Sequence, residues 1–147
     1  MTKILVLNGP NLNMLGLRQP EVYGRTTLAE VDALCVRTGL DLGATVTCLQ
    51  SNHEGTLIDA IHAARTTQDG IVMNAGAFTH TSIAIMDALA SAETPVIELH
   101  LSNVHAREPF RHKSWIAPVA LGVICGFGPN GYALALRAMA HHLEHAP

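Results

Sequence analysis

Short apolar runs and amphipathic stretches alternate along the chain, and most runs close on a polar or glycine-rich corner. Residues 3–7 form an apolar run opened by Lys3 and closed by Asn8-Gly9-Pro10-Asn11. Runs at 45–49, 70–73, 95–101 and 119–125 follow it. Short runs bounded by turn residues predict buried strands. Helical patterns lie between them. Thr27 and Glu30 have capping-box spacing, after which Leu28, Val31, Leu34 and Cys35 share one helical face. Residues 56–65 predict a helix with Leu57, Ile58 and Ile61 inward; 81–92 and 132 to about 145 predict two more.

Alternation of strand and helix with short joints argues a parallel sheet covered on both faces. Five strands suit a flavodoxin-like α/β sandwich of three layers, in order 2-1-3-4-5, with residues 1–147 as one domain. Ligands in such sheets sit beyond the carboxyl ends of the strands, near the switch point between strands one and three. Strand one ends at Asn8 and Asn11, strand three at Asn74, and strand four carries Glu98, His100 and Ser102, which alternation places on one face. Turn capping explains each asparagine singly, but not their convergence with a carboxylate, an imidazole and a hydroxyl. Glu98 on the face of His100 can orient the imidazole and favour its protonated form. Residues 12–25 exceed the usual connection of about 2–6 residues. With Arg18, Tyr23 and Arg25 set among Gly16, Pro20 and Gly24, the segment reads as a lid that brings a cation and a phenol over the strand ends.

Composition narrows the class. Charged residues are 14% of the chain against 48% hydrophobic, which excludes a disordered chain and suggests that other subunits cover part of the surface. The net charge of -3 and the lack of a basic stripe argue against a nucleic-acid partner. Residues 114–136 contain no Asp, Glu, Lys or Arg, yet Pro118, Gly126, Gly128 and Pro129 break any single helix there, so no membrane span is expected. Scattered cysteines (Cys35, Cys48 and Cys125) and an apolar run too short for a signal peptide, which needs about 7–15 residues, point to the cytoplasm. Gly126 to Gly131 spells GxGxxG, but too little chain follows for a dinucleotide-binding unit. His53-Glu54 does not continue to HExxH, and His141 and His145 read as helix-end residues, so no metal site is expected.

The motifs also occur in a familiar series. Asn8-Gly9-Pro10-Asn11-Leu12-Asn13, Leu15-Gly16-x-Arg18-x-Pro20-x-x-Tyr23-Gly24, Gln50 through Gly55 and Asn74-Ala75-Gly76-Ala77 are followed by Glu98 through Asn103, Arg107 through Arg111 and Gly126 through Tyr132. Together they resemble the type II 3-dehydroquinate dehydratases from end to end, with Met14 and Gln19 where that family more often has Leu and Glu. The resemblance implies loss of water from 3-dehydroquinate to give 3-dehydroshikimate through an enolate, without cofactor or metal, in the shikimate pathway or quinate breakdown. It implies Tyr23 as the base, His100 as the acid, Arg18 as the cation that keeps Tyr23 ionised, and Asn11 as support for the enolate oxygen. Asn74, Leu101 and Ser102 would hold the substrate carboxylate, and His80, Asp87 and Arg111 the ring hydroxyls. It further implies a homododecamer of trimers, with Asp87 supplied by a neighbouring subunit. A flavin carrier and a phospho-accepting receiver share the fold expected here. Asparagines at the strand ends and 4% aromatics fit neither.

Overall fold

Ile4, Leu5, Val6 and Leu7 are consecutive and all buried, which a strand permits only if both of its faces are covered. Strand β1 (Thr2–Asn8) meets that condition: Ile4 and Val6 join the core on one side of the sheet, Leu5 and Leu7 the core on the other. The computed structural model describes residues 1–146, and the side chains of Val22 and Tyr23 lie outside what it describes. The helices are α1 (Pro20–Tyr23), α2 (Leu28–Asp41), α3 (Glu54–Thr67), α4 (Ile83–Ala92) and α5 (Asn130–His145). With β2 (Ala44–Gln50), β3 (Gly70–Asn74), β4 (Val96–His100) and β5 (Gly122–Cys125), β1 builds a five-stranded sheet in the order β2-β1-β3-β4-β5. Every pairing is parallel, as the alternation of elements predicts.

Helices α2 and α5 cover one face through Val31, Cys35, Leu136 and Met139; α3 and α4 cover the other through Leu57, Ile61, Ile85 and Leu89. Each fully buried aliphatic side chain of this kind stabilises the fold by about 1.5–3 kcal/mol. Thr27 caps α2 by accepting from the Glu30 N–H at 3.2 Å, while its hydroxyl donates to the Glu30 carboxylate at 3.1 Å. That is half of the expected capping box, since Glu30 answers the side chain and not the backbone.

Several boundaries differ from the sequence expectation, each for a local reason. The fifth strand starts at Gly122 and not at 119, because Ala117–Val119 is a tight 3₁₀ turn containing Pro118, which has no N–H to give a ladder. Helix α4 starts at Ile83 because Ser82 caps it, accepting from the Ile85 N–H at 2.9 Å, and Gly76–His80 forms a separate 3₁₀ turn. The segment 12–25 is less irregular than expected, with a 3₁₀ turn at Leu12–Met14 and the one-turn helix α1 opened by Pro20. Residues 114–136 divide into turn, strand and helix, and no helix among the described residues is long and apolar enough to cross a membrane. Cys35 and Cys48, remote in sequence, meet between α2 and β2 as free thiols; the hydrogen bond between them, then burial, pushes the Cys35 thiol far up.

At the carboxyl edge of the sheet two loops cross in contact. The Gly9 N–H donates to the Asn74 carbonyl at 2.8 Å, and a Cβ on Gly9 would lie 2.4 Å from the Ala75 carbonyl oxygen. Gly76 returns the approach with φ 58 and its own α-carbon turned toward Pro10. Only a residue without a side chain fits at position 9. Gly9→Ala should therefore destabilise the fold by about 1–3 kcal/mol, the usual cost of overpacking, measured as a lower urea midpoint with an unchanged slope. A midpoint equal to that of the parent chain would show that the loops can part freely.

Candidate active site

Strand register brings the expected residues to one edge. Asn8 pairs with Asn74 across β1 and β3, and β4 ends beside them at His100. Asn8 and Asn74 are buried, and the buried phenol of Tyr132, at the start of α5, lies between them. Its hydroxyl donates to Asn8 Oδ1 at 2.7 Å and accepts from Asn74 Nδ2 at 3.1 Å. Asn74 Oδ1 in turn accepts from the Gly76 N–H at 3.2 Å, fixing the corner that follows β3. Asn11 sits in the left-handed region with φ 68, which asparagine tolerates better than most residues. Its N–H donates to Asn52 Oδ1 at 2.9 Å, and Asn52 is held by Gln50 Nε2 at 3.1 Å.

Alternation along β4 turns Glu98 and His100 to the same face. His100 Nε2 and Glu98 Oε2 are 2.6 Å apart, and both side chains are buried, at 7% and 2% exposure. The other carboxylate oxygen accepts from Ser114 Oγ at 2.5 Å. A carboxylate this deep requires such partners, since an unpaired buried charge is costly. With Nε2 committed to Glu98, Nδ1 is the imidazole nitrogen left for a ligand. The ring of His80 stacks near His100, with centroids 6.2 Å apart and planes at 16°, and its Nδ1 lies 2.8 Å from the Lys113 carbonyl. A carbonyl only accepts, so Nδ1 carries the proton and Nε2 of neutral His80 is an acceptor.

Asn74, His80 and His100 line a cleft of about 100 Å³ together with Pro10, Asn11, Arg18, Leu101, Ser102, Arg107 and Arg111. Three arginines on one rim make it a site for an anion. Glu108 tempers them: its carboxylate meets Arg111 Nε at 3.2 Å and Arg107 Nε at 3.7 Å. Its carboxyl is held below the usual range, first by its own backbone N–H and further by Arg111 and Arg107.

Of the residues expected from the sequence, Asn11, Arg18, Asn74, His80, His100, Leu101, Ser102 and Arg111 line this cleft, and Glu98 lies behind His100. Ser102 reaches it by another route than expected. Strand β4 stops at His100, so the bend after the strand places Ser102, which accepts from Arg107 Nη1 at 3.4 Å. Asp87 is not part of the cleft; it is exposed on α4. The Tyr23 side chain lies outside the described residues. Arg107, Ser114 and Tyr132 had no assigned role in the sequence reading, since their partners are distant along the chain.

Residues 2–140 match the family model described as dehydroquinase class II. The chain belongs to the class II dehydroquinases. This class II dehydroquinase is 67% identical over 144 residues to the 3-dehydroquinate dehydratase of Ruegeria pomeroyi, covering 98% of this chain and 97% of the relative. It is 59% identical over 143 residues to that of Dinoroseobacter shibae, covering 97% and 95%. The crystal structure of the type II dehydroquinase from Propionibacterium acnes superposes with a TM-score of 0.93 at 42% identity, covering 96% of this chain and 97% of that one. The family is the one the resemblance named, and the flavodoxin-like fold is the one the alternation of strand and helix predicts.

Tyr132 itself is excluded as a base in this dehydroquinase, because burial pushes its phenol well above the ordinary value of 10.0. Being raised in the fold, it contributes stability that is complete below the unfolded value near pH 10 and is lost as the pH rises toward the folded value. Tyr132→Phe leaves Asn8 and Asn74 facing each other without the bridge and should cost about 1–3 kcal/mol at neutral pH. Between pH 10 and 12 the parent chain should lose more stability than the variant, as read by urea unfolding at each pH. Parallel losses would mean that burial does not hold the phenol in its neutral form.

Proposed function

We propose that this cleft is where the chain, as a class II dehydroquinase, dehydrates 3-dehydroquinate to 3-dehydroshikimate, with the following division of labour. Tyr23 as phenolate takes the proton from carbon 2, beside the ketone. Asn11 steadies the oxygen of the resulting enolate through a water. His100 then gives its Nδ1 proton to the carbon 1 hydroxyl, which leaves as water while the enolate collapses to the conjugated enone. The observation that carries this reading is the buried Glu98–His100 pair, which presents one imidazole nitrogen to a cleft rimmed by arginines. An acid held by a carboxylate behind it and an anion site in front of it is what elimination from a carboxylate substrate requires.

Asn74 keeps one amide N–H for the substrate carboxylate after serving Tyr132, and Leu101 and Ser102 add backbone N–H groups. His80, through Nε2, accepts from a ring hydroxyl, and Arg111 contacts another. An ordinary tyrosine ionises near pH 10, so its phenolate costs about 4 kcal/mol at pH 7. One cation about 4 Å away supplies roughly that amount at an effective dielectric of 20, the task assigned to Arg18. Lysine chemistry is disfavoured: Lys3 lies at the amino end of β1, and Lys113 Nζ lies 4.1 Å from the centre of the Trp115 ring.

Assay of the metal-stripped protein by growth of dehydroshikimate absorbance tests the function directly. Tyr23→Phe should lower turnover by about 10²–10⁴-fold, the range for loss of a general base, with KM little changed. Retention of more than a few per cent of turnover would assign the base elsewhere.

The assembly we propose is a homododecamer of trimers in the cytoplasm. Its support is the low charge of 14%, the exposed Val123 on the edge strand β5 with exposed Leu121 and Phe127 to either side of the strand, and the position of Asp87 outside its own chain's cleft. Asp87 then completes the site of a neighbour by binding a ring hydroxyl. Light scattering should give a dodecamer, and Asp87→Ala should raise KM. Co-expression of Asp87→Ala with His100→Gln should restore activity above either variant alone. An active monomer at assay concentration would remove the shared site.

A further inference from the structure

We propose that Ser114 is a positioning residue of the dehydration: it holds the Glu98 carboxylate in the plane that keeps His100 aimed at the substrate. The proposal deepens the reading of His100 as the acid and rests on it.

Ser114 lies on no strand or long helix, and three hydrogen bonds set its position. Its Oγ accepts from the N–H of Ile116 at 3.0 Å and from that of Ala117 at 2.9 Å, at the entry to the Ala117–Val119 turn. Both acceptor positions are thereby filled, so the single hydroxyl proton points to Glu98 Oε1, 2.5 Å away. Two amide dipoles behind the oxygen polarise it and strengthen that donation.

The terminal torsion of a glutamate is broad and nearly two-fold, so the backbone of β4 does not by itself fix the carboxylate plane. Glu98 is 2% exposed, which leaves little water to do so. With Oε1 bound by Ser114, Oε2 faces His100 Nε2 at 2.6 Å and the imidazole keeps a single orientation.

The neighbours of Ser114 extend the same clamp. The Lys113 carbonyl takes the Nδ1 proton of His80 at 2.8 Å, and the Trp115 N–H donates to the Thr79 carbonyl at 2.9 Å. One strap of consecutive residues therefore holds both rings of the stacked His80–His100 pair, one directly and one through Glu98. The strap also ends the loop that carries Arg107 and Arg111, so the anion rim and the acid share one anchor.

Steady-state kinetics of Ser114→Ala, Ser114→Thr and His100→Gln in the intact assembly test this. Ser114→Ala should lower kcat by about 10–100-fold, the size seen when the partner behind a functional histidine is removed. KM should stay near the parent value, because no substrate contact is altered. Ser114→Thr, which keeps the hydroxyl, should recover most of the loss. If Ser114→Ala fails to fold, Ser114→Cys replaces it: its thiol is a weak donor, so kcat should still fall with KM held. Parental kcat in the Ala or Cys variant, a change in KM alone, or no recovery with Thr would overturn the proposal. His100→Gln separates the two readings. If it is inactive while Ser114→Ala is normal, only the role of Ser114 falls; if it stays active, the acid assignment falls and the clamp with it.

Discussion

The phenol of Tyr132 touches both strand ends on which the cleft is built. Its hydroxyl uses its donor on Asn8 and one acceptor position on Asn74, across a pair of residues already in register between β1 and β3. Without it, two buried amides would face each other at the switch point with no common partner. With it, Asn74 is turned so that its oxygen takes the Gly76 N–H, and the corner that crosses Gly9 is drawn tight. The first turn of α5 is thus part of the floor of the site. Gly131, one residue earlier, lets that turn lie against Leu99, whose Cδ1 would be 2.9 Å from an added Cβ.

The site divides into a rigid floor and a rim. Asn74, Glu98 and His100 are buried strand residues, with Asn74 and Glu98 each held by two partners and His100 held by Glu98. Arg18, Arg107 and Arg111 stand on turns and loops around it, with Arg107 tied to Ser102 and Glu108 and Arg111 to Glu108. The proton donation proposed for His100 demands fixed geometry, which its strand position supplies. Capture of an anion depends on summed charge and tolerates movement, which suits a rim on loops.

What could be read along the chain was whatever depends on near neighbours. Burial on both faces showed in the unbroken run from Ile4 to Leu7, and strand alternation placed Glu98 with His100. The same rule failed for Ser102, because β4 ends before it and alternation has no meaning past the last ladder bond. Pro118 shortens the fifth strand because it has no N–H for the ladder, a local property that overrides the apolar run around it. Arg107, Ser114 and Tyr132 could not be read locally. Ser114 looks like an ordinary turn serine until Glu98, 16 residues back, is folded beside it. Tyr132 looks like a helix-start aromatic until Asn8 arrives from the other end of the chain.

That last separation also orders events during synthesis. Asn8 and Tyr132 are 124 residues apart, and a ribosome adds about 5–20 residues each second, so the amide waits roughly 6–25 s for its phenol. During that interval the central strand can pair with its neighbours, but the floor of the cleft stays open and its polar groups stay wet. Closure comes with the final helix. The Asn8–Asn74 floor is therefore the last part of the sheet edge to be sealed, after every strand is already made.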